Sequence, residues 1–166
     1  EKDRRLCNIL DLKLNNFKNL KIFNEDILNF NFSSSLKSEI IFGNLPYNIS
    51  TQILAKLIKF KKLNPQIEKI IFMFQKEVAD RILAKPNTKS YSRITILANL
   101  KLDIIHNFKI SKECFYPSPK IDSKIIVFKP KKKILYKIKN IENLEKITQI
   151  FFAARRKMIN KPFSKV

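Results

Sequence analysis

Glu39-Ile40-Ile41-Phe42 runs directly into Gly43-Asn44-Leu45-Pro46-Tyr47, and Ile49, Ile53, Leu54, Leu57 and Ile58 follow at helical spacing. A short apolar run, a turn with one amide and one aromatic, and an apolar stripe of period 3.6 spell a buried strand, a loop and a helix lying on a sheet. Ser50 or Thr51 can cap that helix. Strands of this kind, buried on both faces, belong to a mostly parallel sheet covered by helices. In such sheets ligands bind at the carboxyl ends of the strands. The polar residues following strands are therefore the functional candidates.

Outward from this unit the pattern repeats. Towards the N-terminus, Leu6, Ile9, Leu10 and Leu14 suit a helix from about Asp3 to Leu14, and Leu20–Asn24 reads as a strand ending at Glu25-Asp26. Towards the C-terminus, Lys69–Phe74 is a third apolar run, followed by a helix with Val78, Ile82 and Leu83 on one face and a break at Pro86-Asn87-Thr88. Ile94, Leu97, Ala98 and Leu100 predict another helix. Leu102–Ile110 and Ser123–Phe128 predict strands, the second stopped by Pro130. Lys131-Lys132-Lys133 marks a boundary, beyond which Leu144, Ile147, Ile150, Phe151 and Ala154 form an amphipathic helix ending in Arg155-Arg156-Lys157.

Composition narrows the function classes. With 166 residues and a 45% hydrophobic fraction, the chain can bury a sizeable core, and it has no apolar run long enough to span a membrane. No signal peptide is visible, and a cytoplasmic location is expected. Cys7 and Cys114 have no His or Cys at metal-ligand spacing, so neither a zinc site nor a disulfide framework is expected. A net charge of +20 points to a polyanionic partner. Lys, Ile and Asn all have A/T-rich codons, so codon bias is an alternative source of part of that charge.

Asn44-Leu45-Pro46-Tyr47 suits methylation of an exocyclic amine on a planar base. Such an amine is a poor nucleophile, because its lone pair is delocalised into the ring. Two acceptors on its N–H groups favour a pyramidal nitrogen and aim the lone pair at a methyl donor. The Asn44 side-chain oxygen and the Leu45 carbonyl can supply them. Tyr47 can stack on the base, Pro46 fixes the turn, and Gly43 lets the chain approach the ligand closely. An ordinary Asn/Pro turn is the alternative.

Asn44-Leu45-Pro46-Tyr47-Asn48-Ile49-Ser50 resembles motif IV of the ribosomal RNA adenine N6,N6-dimethyltransferases. Further blocks match in order: Gln75-Lys76-Glu77-Val78 with Arg81 and Tyr91-Ser92-Arg93, then Phe115-Tyr116-Pro117-Ser118-Pro119-Lys120-Ile121-Asp122-Ser123, then Phe152-Ala153-Ala154-Arg155-Arg156-Lys157. The resemblance implies an α/β fold, a Rossmann-like sheet of the S-adenosylmethionine-dependent methyltransferases, with the start of a small C-terminal helical domain. Residues 1–130 would form the methyltransferase domain and 131–166 the beginning of the helical one. Leu45 and the Gln75–Arg93 block are similar to the branch that dimethylates two adjacent adenosines near the 3′ end of small-subunit rRNA. A large-subunit resistance enzyme and a non-catalytic RNA-binding assembly factor are the rivals.

What the resemblance implies for single residues follows. Asn44, Leu45, Pro46 and Tyr47 would be catalytic. Glu1 would bind the ribose hydroxyls of S-adenosylmethionine, Asp26 its adenine amine, and Ile27 would pack beside that ring, with Asn44 between cofactor and target. Tyr47 and Phe115 would sandwich a flipped adenine. Lys120, Arg155 and Arg156 are candidate phosphate contacts. Plainer alternatives stay open: a frayed terminus for Glu1, a helix cap for Asp26, a core ring for Phe115, and a solvated basic face for the three cations. Asp122 is read as an anchor of the Pro-rich loop, and His106 is given no role. The partner would be small-subunit rRNA or its precursor particle, bound by a monomer without membrane or metal. The family's Gly-rich loop and most of its C-terminal domain are absent, so the chain is read as a piece lacking the first strand.

Overall fold

The computed structural model describes every residue except 33–39, 61–62, 64–66, 135–137, 154, 156–157, 159 and 165–166. The chain divides into two compact units, Glu1–Ser35 and Leu36–Val166.

In the first unit α1 (Arg4–Leu14) starts at Asp3, whose carboxylate accepts the Arg5 N–H at 2.8 Å. That bond satisfies one of the amides a helix start leaves unpaired. Cys7 is buried. Phe30 meets Phe23 and Phe32 edge-on, with ring centroids 5.2 and 5.5 Å apart. The strand predicted over Leu20–Asn24 does not form. A strand needs a ladder, and the bonds made by this segment are isolated ones. The Glu1 ammonium donates to the Phe23 carbonyl at 2.9 Å, and the Asn24 amide donates to the Glu1 and Lys2 carbonyls at 3.2 and 3.1 Å.

The second unit is built on a four-stranded sheet. Its elements are β1 (Ile40–Asn44), α2 (Ser50–Lys59), β2 (Lys69–Gln75), α3 (Lys76–Ile82), α4 (Arg93–Lys101), β3 (Leu102–Ile110), a 3-10 turn (Lys112–Cys114), β4 (Ser123–Pro130), α5 (Ile141–Ala153) and α6 (Asn160–Phe163). The strand order is β1-β2-β4-β3. β1 and β2 are parallel, with Asn44 opposite Met73, and β4 is antiparallel to both β2 and β3. The mostly parallel expectation therefore holds for three strand directions but not for the ladders. β3 reaches β4 through residues 111–122 without a crossover helix, so β4 returns antiparallel and inserts between β2 and β3. Pro130 ends β4 from within the ladder, opposite Leu102, the first residue of β3.

The sheet centre is fully buried: Ile70, Phe72, Phe74, Ile126 and Phe128, with Phe74 edge-on to Phe72 and Phe128. Ile53, Leu54, Leu57 and Ile58 of α2 are buried as the stripe predicts. Each contributes about 1.5–3 kcal/mol on leaving water, far more than helix propensity differences. Neither Ser50 nor Thr51 caps this helix. Its cap position is Ile49, and the buried Ser50 hydroxyl donates instead to the Tyr47 carbonyl at 3.1 Å. The Gln75–Arg93 block carries structural pairs: Lys76 with Asp80 and Arg81 with Glu77 along α3, and Thr95 of α4 donating to the Arg81 carbonyl.

Candidate active site

At the carboxyl end of β1 the backbone is squeezed. A Cβ on Gly43 would sit 2.6 Å from Leu45 Cδ2 and 2.7 Å from Phe72 Cδ1. The glycine thus serves close packing against Phe72 and Leu45. Asn44, the last residue of β1, is exposed, and its side-chain amide makes no hydrogen bond to any described residue. Leu45 turns its side chain into the core. The Pro46 carbonyl accepts the Ile49 N–H at 3.1 Å, closing the turn that leads into α2.

Tyr47 is held at both ends. Its carbonyl takes the Ser50 hydroxyl, and its own hydroxyl lies 2.7 Å from Ser123 Oγ. Ser123 is fully buried, begins β4 and pairs with Gln75 at the end of β2. The turn after β1 and the loop before β4 therefore share the carboxyl edge of β1 and β2.

That loop, residues 111–122, is braced from within. Ser118 Oγ donates to the Lys112 carbonyl at 3.0 Å, and the Phe115 N–H reaches the same carbonyl at 3.3 Å. Asp122 accepts the Lys112 N–H at 3.1 Å and pairs with Lys109 at 2.8 Å, while its carbonyl accepts the Lys76 N–H at 2.9 Å. The Lys109 hydrogen bond, seconded by the Lys112 amide, holds the Asp122 carboxyl below the usual aspartate range. Asp122 is thus the loop anchor that the sequence suggests. Phe115 is half-buried and Lys120 exposed.

The other candidates are placed as follows. Arg155, just past α5, donates to the Lys89 carbonyl at 3.0 Å, and its guanidinium lies 5.5 Å from the Phe152 ring centroid. It lines a cavity of about 580 Å³ together with Arg81, Lys89, Arg93 and the first turn of α2. Arg156 lies outside the described residues. Glu1, Asp26 and Ile27 belong to the first unit. Glu1 accepts the Lys2 and Asp3 amides at 2.8 and 2.9 Å, and the Asp3 bond foremost lowers its pKa. Asp26 accepts the Leu28 N–H at 2.9 Å and pairs with Lys2 at 3.3 Å, so Lys2 links the neighbourhoods of these two acids. Ile27, next to Asp26 in sequence, is half-buried. His106 is exposed on β3 against Phe108.

Ser123 escaped the reading of the sequence. Its signal was present, a serine closing the Pro-rich block at the start of a strand, but a serine there is also an ordinary strand residue.

A family model for ribosomal RNA adenine dimethylase matches residues 1–166. The ribosomal RNA small subunit methyltransferase A of Pelagibacter ubique is 45% identical over 167 residues, covering 100% of this chain and 63% of that protein. The protein of the same description from Buchnera aphidicola is 42% identical over 155 residues, covering 91% and 58%. The chain thus spans less than two thirds of the length of these relatives. Among solved structures, a dimethyladenosine transferase from Plasmodium falciparum superposes with a TM-score of 0.74 at 29% identity, covering 98% of this chain and 57% of that one. The 23S rRNA methyltransferase ErmE superposes at 0.63 with 24% identity over 92% of this chain and 59% of its own, a likeness of fold.

Proposed function

The chain belongs to the ribosomal RNA adenine dimethylase family, and from that membership we propose that it is the catalytic part of an S-adenosylmethionine-dependent enzyme. Its reaction is methylation of N6 of two adjacent adenosines near the 3′ end of small-subunit rRNA, giving N6,N6-dimethyladenosine during ribosome biogenesis. Residues 1–130 are assigned to the methyltransferase domain and 131–166 to the start of a helical domain. The protein acts as a cytoplasmic monomer. Among the described residues no helix is long and apolar enough to cross a membrane.

The observation that carries this reading is the exposed Asn44 at the end of β1, three residues before a tyrosine pinned at both ends. Asn44 Oδ1 and the Leu45 carbonyl accept from the adenine amine and localise its lone pair. Fixed acceptors do this without reorganising during the reaction. Tyr47, its hydroxyl tethered to Ser123, stacks on one face of the base, and Phe115 on the other. Lys120, Arg155 and Arg156 contact phosphates.

The donor set in the first unit suits the cofactor. Two carboxylates provide acceptors for a diol and an amine, and Ile27 provides an apolar flank. S-adenosylmethionine, when bound, supplies an electrophilic methyl group on its sulfonium. Glu1 holds the ribose hydroxyls and Asp26 the adenine amine.

Transfer of tritiated methyl to small-subunit particles, followed by mapping of the labelled nucleotide, tests the proposal. Label in paired small-subunit adenosines as N6,N6-dimethyladenosine is the expected result. Label in large-subunit RNA would identify the resistance activity. Tight RNA binding without transfer by the full-length protein would identify an assembly factor.

A further inference from the structure

Tyr116 is 102% exposed, although the backbone on either side of it is braced. Phe115 and Ser118 both bond to the Lys112 carbonyl, and Asp122 ties the loop end to Lys109 and to the Lys112 amide. A whole aromatic ring held in water on a fixed loop is a platform for stacking. The charges around it point to the partner. Lys76 and Lys124 are paired with Asp80, and Lys109 with Asp122. Lys112 and Lys120, on the loop itself, make no ion pair among the described residues. Lys112 feels Asp122, and Glu113 bonds the Ser111 hydroxyl on the same loop, yet neither Lys112 nor Lys120 is locked in an ion pair with a described residue. One ring and two available ammonium groups match unpaired nucleic acid, where bases stack on aromatics and cations meet phosphates. Phe115 before the ring is half-buried and Ile121 beyond Lys120 is exposed, but proline, serine and lysine lie between, so the ring does not stand in a continuous apolar patch.

We infer that Tyr116 stacks on the nucleotide flanking the adenosine held at Tyr47, with Lys112 and Lys120 on the adjoining phosphates. The inference rests on the proposed rRNA adenine methylation. Tyr116 is a positioning residue: it fixes the register of the RNA, and through that register it selects which adenosine enters.

The test is methyl transfer by the full-length protein to small-subunit particles, beside filter binding of the same RNA. Tyr116→Ala is expected to raise the KM for RNA and weaken filter binding by about 5- to 150-fold. The kcat, the KM for S-adenosylmethionine and the melting temperature should stay unchanged. Tyr116→Phe and Tyr116→Trp should restore affinity, whereas Tyr116→Leu should not. Wild-type RNA affinity in Tyr116→Ala, or Leu serving as well as Phe, overturns the inference. A wild-type protein that transfers no methyl overturns the underlying enzyme reading instead, and filter binding still decides Tyr116.

Discussion

The hydroxyls of Tyr47 and Ser123 lie 2.7 Å apart, joining the turn after β1 to the first residue of β4 across 76 positions of sequence. Ser123 is fully buried and Tyr47 half-buried, so the bond is partly shielded from competing water. It fixes where the tip of a ring sits whose proposed task is to stack on a base.

Tyr47→Phe should keep the stack and lose the tether. The buried Ser123 hydroxyl would be left without that partner, costing roughly 1–3 kcal/mol in urea unfolding. Transfer should slow by only a few-fold, and Ser123→Ala should behave alike. Tyr47→Ala should lose a further factor of about 5–150 in rate. If Tyr47→Phe proves as slow as Tyr47→Ala, the hydroxyl rather than the ring carries the function.

Gly43→Ala should destabilise the fold. The added Cβ would lie 2.6 Å from Leu45 and 2.7–2.8 Å from Phe72, and Phe72 is too enclosed to give way. Overpacking of this kind costs roughly 1–3 kcal/mol. A normal melting curve combined with lost S-adenosylmethionine binding would instead return Gly43 to a role at the ligand.

These two residues show what the sequence could and could not say. The stripe Ile53, Leu54, Leu57 and Ile58 announced the face α2 buries, because period 3.6 depends only on local geometry. The glycine's neighbour across the sheet, Phe72, depends on strand register, which no local pattern encodes. Leu20–Asn24 had the composition of a strand, but ladder formation is decided by a partner. Ser50 looked like a cap, yet the Pro46–Ile49 turn moves the helix start to Ile49 and turns the hydroxyl inward. Ordered motifs single out Asn44, Tyr47 and Phe115 as candidates and Asp122 as the loop anchor that the structure shows, whereas Ser123 required the tertiary contact.

Asp80 makes stability depend on acid pH. Partial burial pushes its carboxyl up, but hydrogen bonds from Lys124 at 2.6 Å and Lys76 at 3.0 Å outweigh that, leaving it below the usual aspartate value. A group depressed in the folded state stabilises above its unfolded pKa of about 3.9, and that contribution disappears as pH falls through the folded value. Asp80→Asn should therefore melt lower than wild type at pH 5–7 by a constant margin, and the two curves should converge below about pH 4. Asp122 shifts in the same direction, so a residual acid slope should survive in Asp80→Asn. Melting temperatures between pH 2.5 and 7 read this directly, and a margin that persists at the lowest pH would show that Asn is misfitted rather than uncharged.

Asn44→Ala separates chemistry from binding. The side chain is exposed and unbonded to any described residue, so its removal should leave the melting temperature unchanged. RNA affinity comes mainly from phosphate contacts and should also hold, as read by filter binding. The amide oxygen acts only on the reacting amine, where removing a fixed polar group typically costs about 10²–10³ in rate. Single-turnover methyl transfer in the full-length protein should therefore fall by that factor, with the KM for RNA little altered. Asn44→Asp keeps an oxygen in place but no N–H, and should fall between Ala and wild type. A variant that transfers methyl groups at nearly the normal rate would remove Asn44 from the mechanism. A variant that loses RNA affinity in step with rate would make it a binding residue instead.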